Sequence, residues 1–146
     1  MIRLADNLWI GDSGDEGYAD LEALGVRAVL NVAHDLQGTR GCLFGIEYMQ
    51  VGLIDGPGNP SSAYYAAVMA LVTLLRRGKV MVCCHTGGRS LAVALLYLNL
   101  TARRGWDGWL ELLSERVDAE LPIPHEAHKT AFNKINWRLL TAAMED

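Results

Sequence analysis

Apolar residues along the chain fall into short runs and helical repeats that predict alternating strands and helices. Asn7–Gly11 is a short apolar run between turn residues, which indicates a strand. Val26–Ala33 is nearly continuous in apolar residues and rich in valine, as in a central strand covered on both faces. Ile46–Leu53 alternates enough to be another strand, and Tyr18–Gly25 has the pattern of a short helix stopped by glycine.

The second half of the chain is predicted to be mainly helical. The repeat after Ser61 has apolar residues at helical spacing, and Gly78 occupies the usual place of a C-terminal glycine. The predicted elements are a helix over 62–77, a strand over 79–83, a helix over 89–104, a helix with Asp107 as N-cap, and a last helix over about 125–144.

This order of elements predicts the fold class. Strands that alternate with long helices form a central, mostly parallel sheet with helices on both faces, which is an α/β fold. With 146 residues, 51% of them hydrophobic, the chain is long enough to bury one core without disulfides or metals. We therefore expect a single domain over residues 1–146.

Composition and charge exclude several classes of function. The longest apolar run, Ala66–Leu75, is about half as long as a membrane span. The net charge is −4, and the basic clusters fall at predicted helix ends, where they complement helix dipoles, so we expect neither membrane nor nucleic-acid partners. Three irregularly spaced cysteines, without an apolar leader, predict free thiols in the reducing cytoplasm.

The segment VMVCCHTGGRS, from Val80 to Ser90, carries the candidate chemistry. It passes from a strand through a glycine-containing turn directly into a helix, which leaves backbone N–H groups and a positive helix end facing the turn. Arg89 adds a planar guanidinium suited to two phosphate oxygens. A cysteine in this positive environment is favoured as a thiolate, so the segment predicts an anion site with a nucleophile.

These motifs resemble those of small dual-specificity phosphatases, members of the cysteine-dependent tyrosine phosphatase superfamily. Their signature is His-Cys, five residues, then Arg-Ser or Arg-Thr. NLWIGD and LEALGVRAVLNVA are similar to the opening elements of that family, and GKVMVCCHTGGRSLAVALLYL is similar to its phosphate loop and following helix. VGLIDGPG resembles the loop of the general-acid aspartate, with Asp55 28 or 29 residues before the two cysteines. The resemblance covers nearly the whole chain, and it implies a single phosphatase-like domain with the architecture of a protein tyrosine phosphatase.

The loop departs from the family pattern by one residue. Counted back from Arg89, Cys83 has the family spacing, but Val82 then replaces the signature histidine. Counted forward along the strand, Cys84 is the nucleophile, and only four residues separate it from Arg89. Neighbouring strand residues point to opposite faces, so both cysteines cannot reach one anion. We favour Cys84 and keep Cys83 as the alternative.

The resemblance implies a role for each site residue. The thiolate of Cys84 or Cys83 attacks phosphorus, Arg89 holds the phosphoryl oxygens, Asp55 acts as general acid and then base, and Ser90 assists departure of the thiolate. The residues expected to bind phosphate are His85, Thr86, Gly87, Gly88 and Arg89. Neither cofactor nor metal is required, the substrate is a phosphorylated protein or a small phosphoester, and the oligomeric state stays open.

Two other functions are compatible with the shortened loop. A cysteine four residues before the arginine resembles the tighter loop of rhodanese sulfurtransferases, which holds a persulfide. Alternatively, the deletion abolishes turnover and leaves a pseudophosphatase that binds phosphorylated partners without hydrolysing them.

Residues outside the loop receive structural interpretations. His125 and His128 are expected to begin an exposed helix rather than to form a zinc site with the cysteines. Trp106 and Trp109 share a helix face typical of core packing, and Tyr64 and Tyr65 are expected to pack at the start of a helix. Cys42 is interpreted as an incidental loop thiol.

Overall fold

The structure is a computed structural model that describes residues 1–12, 18–36 and 45–145. Cys42 lies outside these ranges. The strands are β1 (Ile2–Ala5), β2 (Leu8–Gly11), β3 (Val26–Ala33), β4 (Glu47–Leu53) and β5 (Lys79–Cys83). The helices are α1 (Tyr18–Leu24), α2 (Ser61–Leu75), α3 (Gly88–Thr101), α4 (Gly105–Arg116), α5 (Glu126–Lys134) and α6 (Trp137–Met144).

The strands form one mixed sheet in the order β1-β2-β5-β3-β4. β2, β5, β3 and β4 are parallel, and β1 pairs antiparallel with β2 at the edge. β5 is central, and its run Val80–Cys83 is fully buried because helices cover both faces. The predicted α/β class with a mostly parallel sheet is confirmed, and β1 is an addition that the apolar pattern did not predict.

Helices pack on both faces of the sheet. The larger core lies on the face covered by α2 to α6, and includes Leu71, Leu95 and Phe132. The opposite face has a smaller cluster in which Leu21 of α1 contacts the sheet together with Trp9 and Met81. Within the described ranges, no helix has both the length and the apolar character to cross a bilayer.

The C-terminal third corrects two predicted boundaries. The last predicted helix is two helices, because Ile135 adopts an extended conformation and the side chain of Asn136 accepts a hydrogen bond from Leu139 N at 3.0 Å as the N-cap of α6. The helix expected to begin after Asp107 starts at Gly105, so Asp107 lies in its first turn, where a carboxylate complements the helix dipole.

Candidate active site

The segment after β5 lies where the carboxyl ends of the parallel strands meet. Cys83, the last residue of β5, pairs with Gly11 of β2 on one side and with Asn31 of β3 on the other. The chain then turns through 84–87 into α3, and the amide of Cys84 donates to Gly11 O at 3.4 Å. This edge is the usual place for binding sites in open α/β sheets.

The sulfur of Cys84 lies inside the turn, completely buried. It accepts hydrogen bonds from the amides of Gly87 at 3.1 Å and Ser90 at 3.4 Å, and its distance to Ser90 Oγ is 3.3 Å. Ser90 Oγ is itself placed by the carbonyls of Gly11, at 3.3 Å, and Gly87, at 3.0 Å. Backbone donors at a helix N-terminus stabilise negative charge on such a sulfur.

Cys83 is equally buried but lies on the other face of the sheet. It belongs to the cluster of Trp9, Leu21 and Met81, whereas Cys84 belongs to the larger core on the opposite face. The alternation of strand side chains separates the two thiols, and the sulfur of Cys84 contacts the amides of Gly87 and Ser90.

The glycine pair lets another segment pack tightly on the loop. Gly87 has φ +93°, a left-handed conformation that suits glycine, and a Cβ there would lie 3.0 Å from Pro122 Cγ. A Cβ at Gly88 would lie 3.4 Å from Ile123 O and from Pro124 Cα. The segment 122–124 therefore fixes the loop from outside.

Arg89 connects the loop to the ends of two strands. Its side chain is 3% exposed, and its Nη1 donates to Asp35 Oδ1 at 2.9 Å and to Leu53 O at 2.8 Å. Asp35 follows β3 and Leu53 ends β4. Arg89 Nε is buried without a hydrogen-bond partner among the described residues. Such a donor is costly unless an acceptor reaches it, and a phosphoryl oxygen would be one.

Asp35 is a site residue that the sequence did not single out. Its carboxylate bonds Arg89, which lowers its pKa, and His85 Nε2 lies 3.3 Å from its backbone oxygen. The signal was present in the topology, because Asp35 follows a central parallel strand at the same edge as Cys84. His85, one of the predicted phosphate-binding residues, is in contact with the backbone of Asp35.

Asp55 lies in a loop that one asparagine holds in shape. Asn59 Oδ1 accepts from Ile54 N at 2.8 Å, and Asn59 Nδ2 donates to Ile54 O at 2.8 Å and Gly56 O at 3.4 Å. The backbone on both sides of Asp55 is therefore bound to the same side chain. The carboxylate is 45% exposed and its Oδ1 lies 3.3 Å from His128 Nε2.

His128 is buried, so the expectation of an exposed helix start is wrong for this residue. It is 1% exposed, whereas His125 is exposed and caps α5 by accepting from Ala127 N at 2.9 Å. The signal was available, because His128 precedes Phe132 by four positions and Ile135 by seven, on the same apolar face. Tyr64 is also buried and its hydroxyl lies 2.8 Å from His128 Nδ1.

The other packing interpretations hold. Trp106 and Trp109 are each 6% exposed, and Trp106 contacts Phe132 edge to face. Tyr65 accepts a hydrogen bond from the amide of Asn136 at 3.0 Å.

A cavity of about 480 Å³ borders the loop on the side of β1 and β2. Its lining residues include Thr86, Gly87, Ile10, Glu120 and Pro122.

Dual-specificity phosphatases are among the solved structures that match this fold. The chain matches DUSP15 with a TM-score of 0.79 and 16% identity, over 98% of this chain and 93% of that one. Human DUSP28 matches with a TM-score of 0.75 and 20% identity, over 99% and 98%. A cysteine-to-serine variant of P. aeruginosa TpbA in complex with phosphotyrosine matches with a TM-score of 0.69 and 16% identity, over 99% and 89%.

No protein-family model matches the sequence, and no curated protein sequence matches it. The structural matches extend over almost all of the chain, so its fold is that of the small dual-specificity phosphatases, as the motifs predicted. At these identities the likeness establishes the fold, and activity has to be argued from the site itself.

Proposed function

We propose that this protein is a cysteine-dependent phosphomonoesterase of the dual-specificity type, with Cys84 as its nucleophile. The observation that carries the proposal is the environment of the Cys84 sulfur. The sulfur accepts hydrogen bonds from two backbone amides at the N-terminus of α3, the helix that also carries the buried Arg89. A thiolate held in this way is ready to attack an electrophile bound at the same helix end.

The proposed reaction has two steps. The thiolate attacks phosphorus, the bond from phosphorus to the ester oxygen breaks, and Asp55 gives its proton to the departing oxygen. Water then attacks the phosphocysteine and loses a proton to Asp55, the sulfur–phosphorus bond breaks, and inorganic phosphate leaves. Ser90 Oγ, 3.3 Å from the sulfur, stabilises the thiolate as it is released.

Arg89 is suited to stabilise the phosphoryl group. Nη1 is occupied by Asp35 and Leu53, which sets the plane of the guanidinium and leaves the Nε edge for phosphoryl oxygens. Preorganised donors of this kind stabilise the transition state because they need not reorient during the reaction. The amides of Gly88 and Arg89, in the first turn of α3, add donors without partners inside the helix.

The proposed substrates are phosphorylated proteins or small phosphoesters. The matching TpbA structure contains phosphotyrosine, which supports a phosphorylated side chain as the ligand of this fold. The four-residue spacing from Cys84 to Arg89 is also the one that favours the sulfurtransferase alternative, so thiosulfate is included as a second substrate in the test.

The test is hydrolysis of p-nitrophenyl phosphate by the unmodified chain and by the variants Cys84→Ser and Cys83→Ser. We expect turnover in the unmodified chain, its loss in Cys84→Ser, and its retention in Cys83→Ser because that thiol lies on the other face of the sheet. Asp55→Asn should lower turnover by about 100-fold.

Each other outcome selects a different function. Phosphate bound by the unmodified chain without hydrolysis identifies a pseudophosphatase. Sulfur transfer from thiosulfate to cyanide, with a persulfide on Cys84, identifies a sulfurtransferase. Activity that survives in Cys84→Ser but not in Cys83→Ser would refute the assignment of the nucleophile.

A further inference from the structure

Behind the candidate general acid lies a chain of three polar side chains: the buried Tyr64 of α2, the buried His128 of α5, and the half-buried Asn59 of the loop between β4 and α2. His128 of α5 contacts Asp55 Oδ1 through Nε2, at 3.3 Å, and the Tyr64 hydroxyl through Nδ1, at 2.8 Å. The same hydroxyl accepts from Asn59 Nδ2 at 3.3 Å, and Asn59 binds the backbone around Asp55. His128 is thus a buried titratable group in contact with Asp55 for which the proposed reaction has no direct use.

The contacts of His128 favour the tautomer that carries its proton on Nε2. The hydroxyl oxygen of Tyr64 accepts from Asn59, and its one hydrogen can then bind His128 Nδ1, 2.8 Å away. Burial raises the pKa of Tyr64, which keeps that hydrogen in place, and burial lowers the pKa of His128, which keeps the imidazole neutral. Nδ1 is then an acceptor, and Nε2–H points to the carboxyl group of Asp55.

We propose that His128 is a positioning residue for Asp55, whose Nε2–H occupies Oδ1 and leaves Oδ2 to carry the proton that is transferred to the leaving group. A protonated carboxyl has one oxygen that only accepts and one that donates. A donor fixed at Oδ1 assigns the proton to Oδ2, and the Asn59 contacts hold the loop in the matching orientation. This inference rests on the proposed phosphatase function.

The test uses two substrates that differ in their need for a general acid. Phenyl phosphate has a leaving group as basic as the tyrosine side chain, while p-nitrophenyl phosphate has a much better leaving group. His128→Phe preserves an aromatic ring but removes the donor. We expect it to lower kcat/KM for phenyl phosphate by about tenfold more than for p-nitrophenyl phosphate, since it impairs the acid and not the nucleophile.

Conservative and neighbouring variants separate positioning from packing. His128→Gln, whose amide nitrogen can donate to the same oxygen, should restore most of the difference between the two substrates. Tyr64→Phe removes the hydroxyl that fixes the tautomer and should reproduce the effect in weaker form. Tyr65→Phe is the matched control, because its hydroxyl binds Asn136 N instead, and it should leave the ratio of the two rates unchanged.

A double-mutant cycle completes the test. In an Asp55→Asn background, His128→Phe should have little further effect on the ratio, because the group it positions is gone. An equal loss of rate on both substrates, or an effect that persists without Asp55, would overturn the proposal. Absence of hydrolysis in the unmodified chain would instead refute the phosphatase function on which it depends.

The tautomer is testable without activity. Nitrogen-15 spectra of the histidine side chains should show His128 as a neutral imidazole protonated at Nε2 near pH 7, with its Nε2–H signal shifted in Asp55→Asn. A proton on Nδ1, or an imidazolium at that pH, would contradict the proposed arrangement whatever the catalytic result.

Discussion

At the residue scale, Arg89 and His128 are both buried beside a carboxylate, but only Arg89 is a cation. Arg89 is a buried cation bonded to the carboxylate of Asp35 and has its Nε without a partner in the described structure. His128 is buried as a neutral ring between a hydroxyl and a carboxylate. In the proposed reaction, Arg89 supplies positive charge for the phosphoryl group and His128 orients the proton donor, so their burial would serve different steps.

The burial of His128 predicts a dependence of stability on pH. Its folded pKa is lowered, chiefly by desolvation, with Arg89 and His125 lowering it further and Asp55 raising it. The unfolded chain therefore binds a proton at this histidine at higher pH than the folded chain, and stability falls as pH drops below about 6.5. Urea denaturation should show a smaller unfolding free energy at pH 5.5 than at pH 7.5.

The variant His128→Gln isolates that contribution. Its amide does not titrate, so the loss of unfolding free energy between the two pH values should be smaller than in the unmodified chain. Equal m-values in the two proteins establish that the same unfolding transition is compared. An identical pH dependence would show that His128 is solvated or already protonated in the folded chain.

At the scale of elements, the turn from β5 into α3 needs glycine at position 87 for two reasons, a left-handed backbone conformation and close packing against Pro122. Gly87 has a left-handed φ and lies so close to Pro122 that a methyl group at Gly87 would be 3.0 Å from Pro122 Cγ and would require Pro122 to move. Gly105, the first residue of α4, has φ +80°, but a methyl group added there would meet no atom of the described residues within 4 Å beyond its chain neighbours. The pair therefore separates backbone strain from steric contact.

We predict that Gly105→Ala costs about 1 kcal/mol of unfolding free energy and Gly87→Ala more, because only the second forces the 122–124 segment away. Chemical denaturation measures both. Gly87→Ala should also weaken binding of inorganic phosphate in a titration, and Gly105→Ala should not. An equal loss of unfolding free energy at the two positions would mean that Pro122 moves away from the added methyl group without an energetic cost.

The helices and strands of the structure show which elements the apolar pattern could predict. β3, β5, α2 and α3 have long, uniform patterns, and their predicted bounds agree with the structure to within a few residues. β1 was missed because a four-residue edge strand owes its structure to pairing with β2 and not to its own sequence. The break between α5 and α6 depends on Asn136 acting as a cap inside a continuous apolar repeat.

The sequence singled out the contiguous part of the candidate site and, through the family resemblance, Asp55. The segment from Cys84 to Ser90 is contiguous, so spacing and strand alternation point to it. The topology of the fold brings Asp35 to Arg89 and Tyr64 to His128. Nothing in the sequence around Asp35 or Tyr64 indicates these contacts. The prediction for His128 was wrong because a polar residue near a helix start suggests exposure, although its spacing from Phe132 places it on the buried face.

At the scale of the whole molecule, α5 is attached to the rest of the fold by aromatic packing. Phe132 is 3% exposed and contacts the rings of Trp106 and Trp137 edge to face, at centroid distances of 5.3 and 5.0 Å. These contacts lie one turn from His128. The position of the histidine therefore depends on the core between α4, α5 and α6.

We predict that Phe132→Ala lowers the unfolding free energy by about 3–5 kcal/mol, the usual cost of removing a buried aromatic ring. Leu139→Ala is the control, because Leu139 is 58% exposed on α6 and should cost under about 0.5 kcal/mol. Urea denaturation measures both. A similar cost for the two variants would mean that the aromatic packing does not hold α5.

The contacts of Arg89 have a thermodynamic consequence for folding. The site combines the ends of β2, β3 and β4 with the turn before α3 and the segment 122–124, which are far apart along the chain. A partly folded chain cannot present all of them together. An oxyanion that binds there binds only the complete native state. The free energy of unfolding therefore increases with the concentration of the oxyanion, and the midpoint of thermal unfolding rises with it.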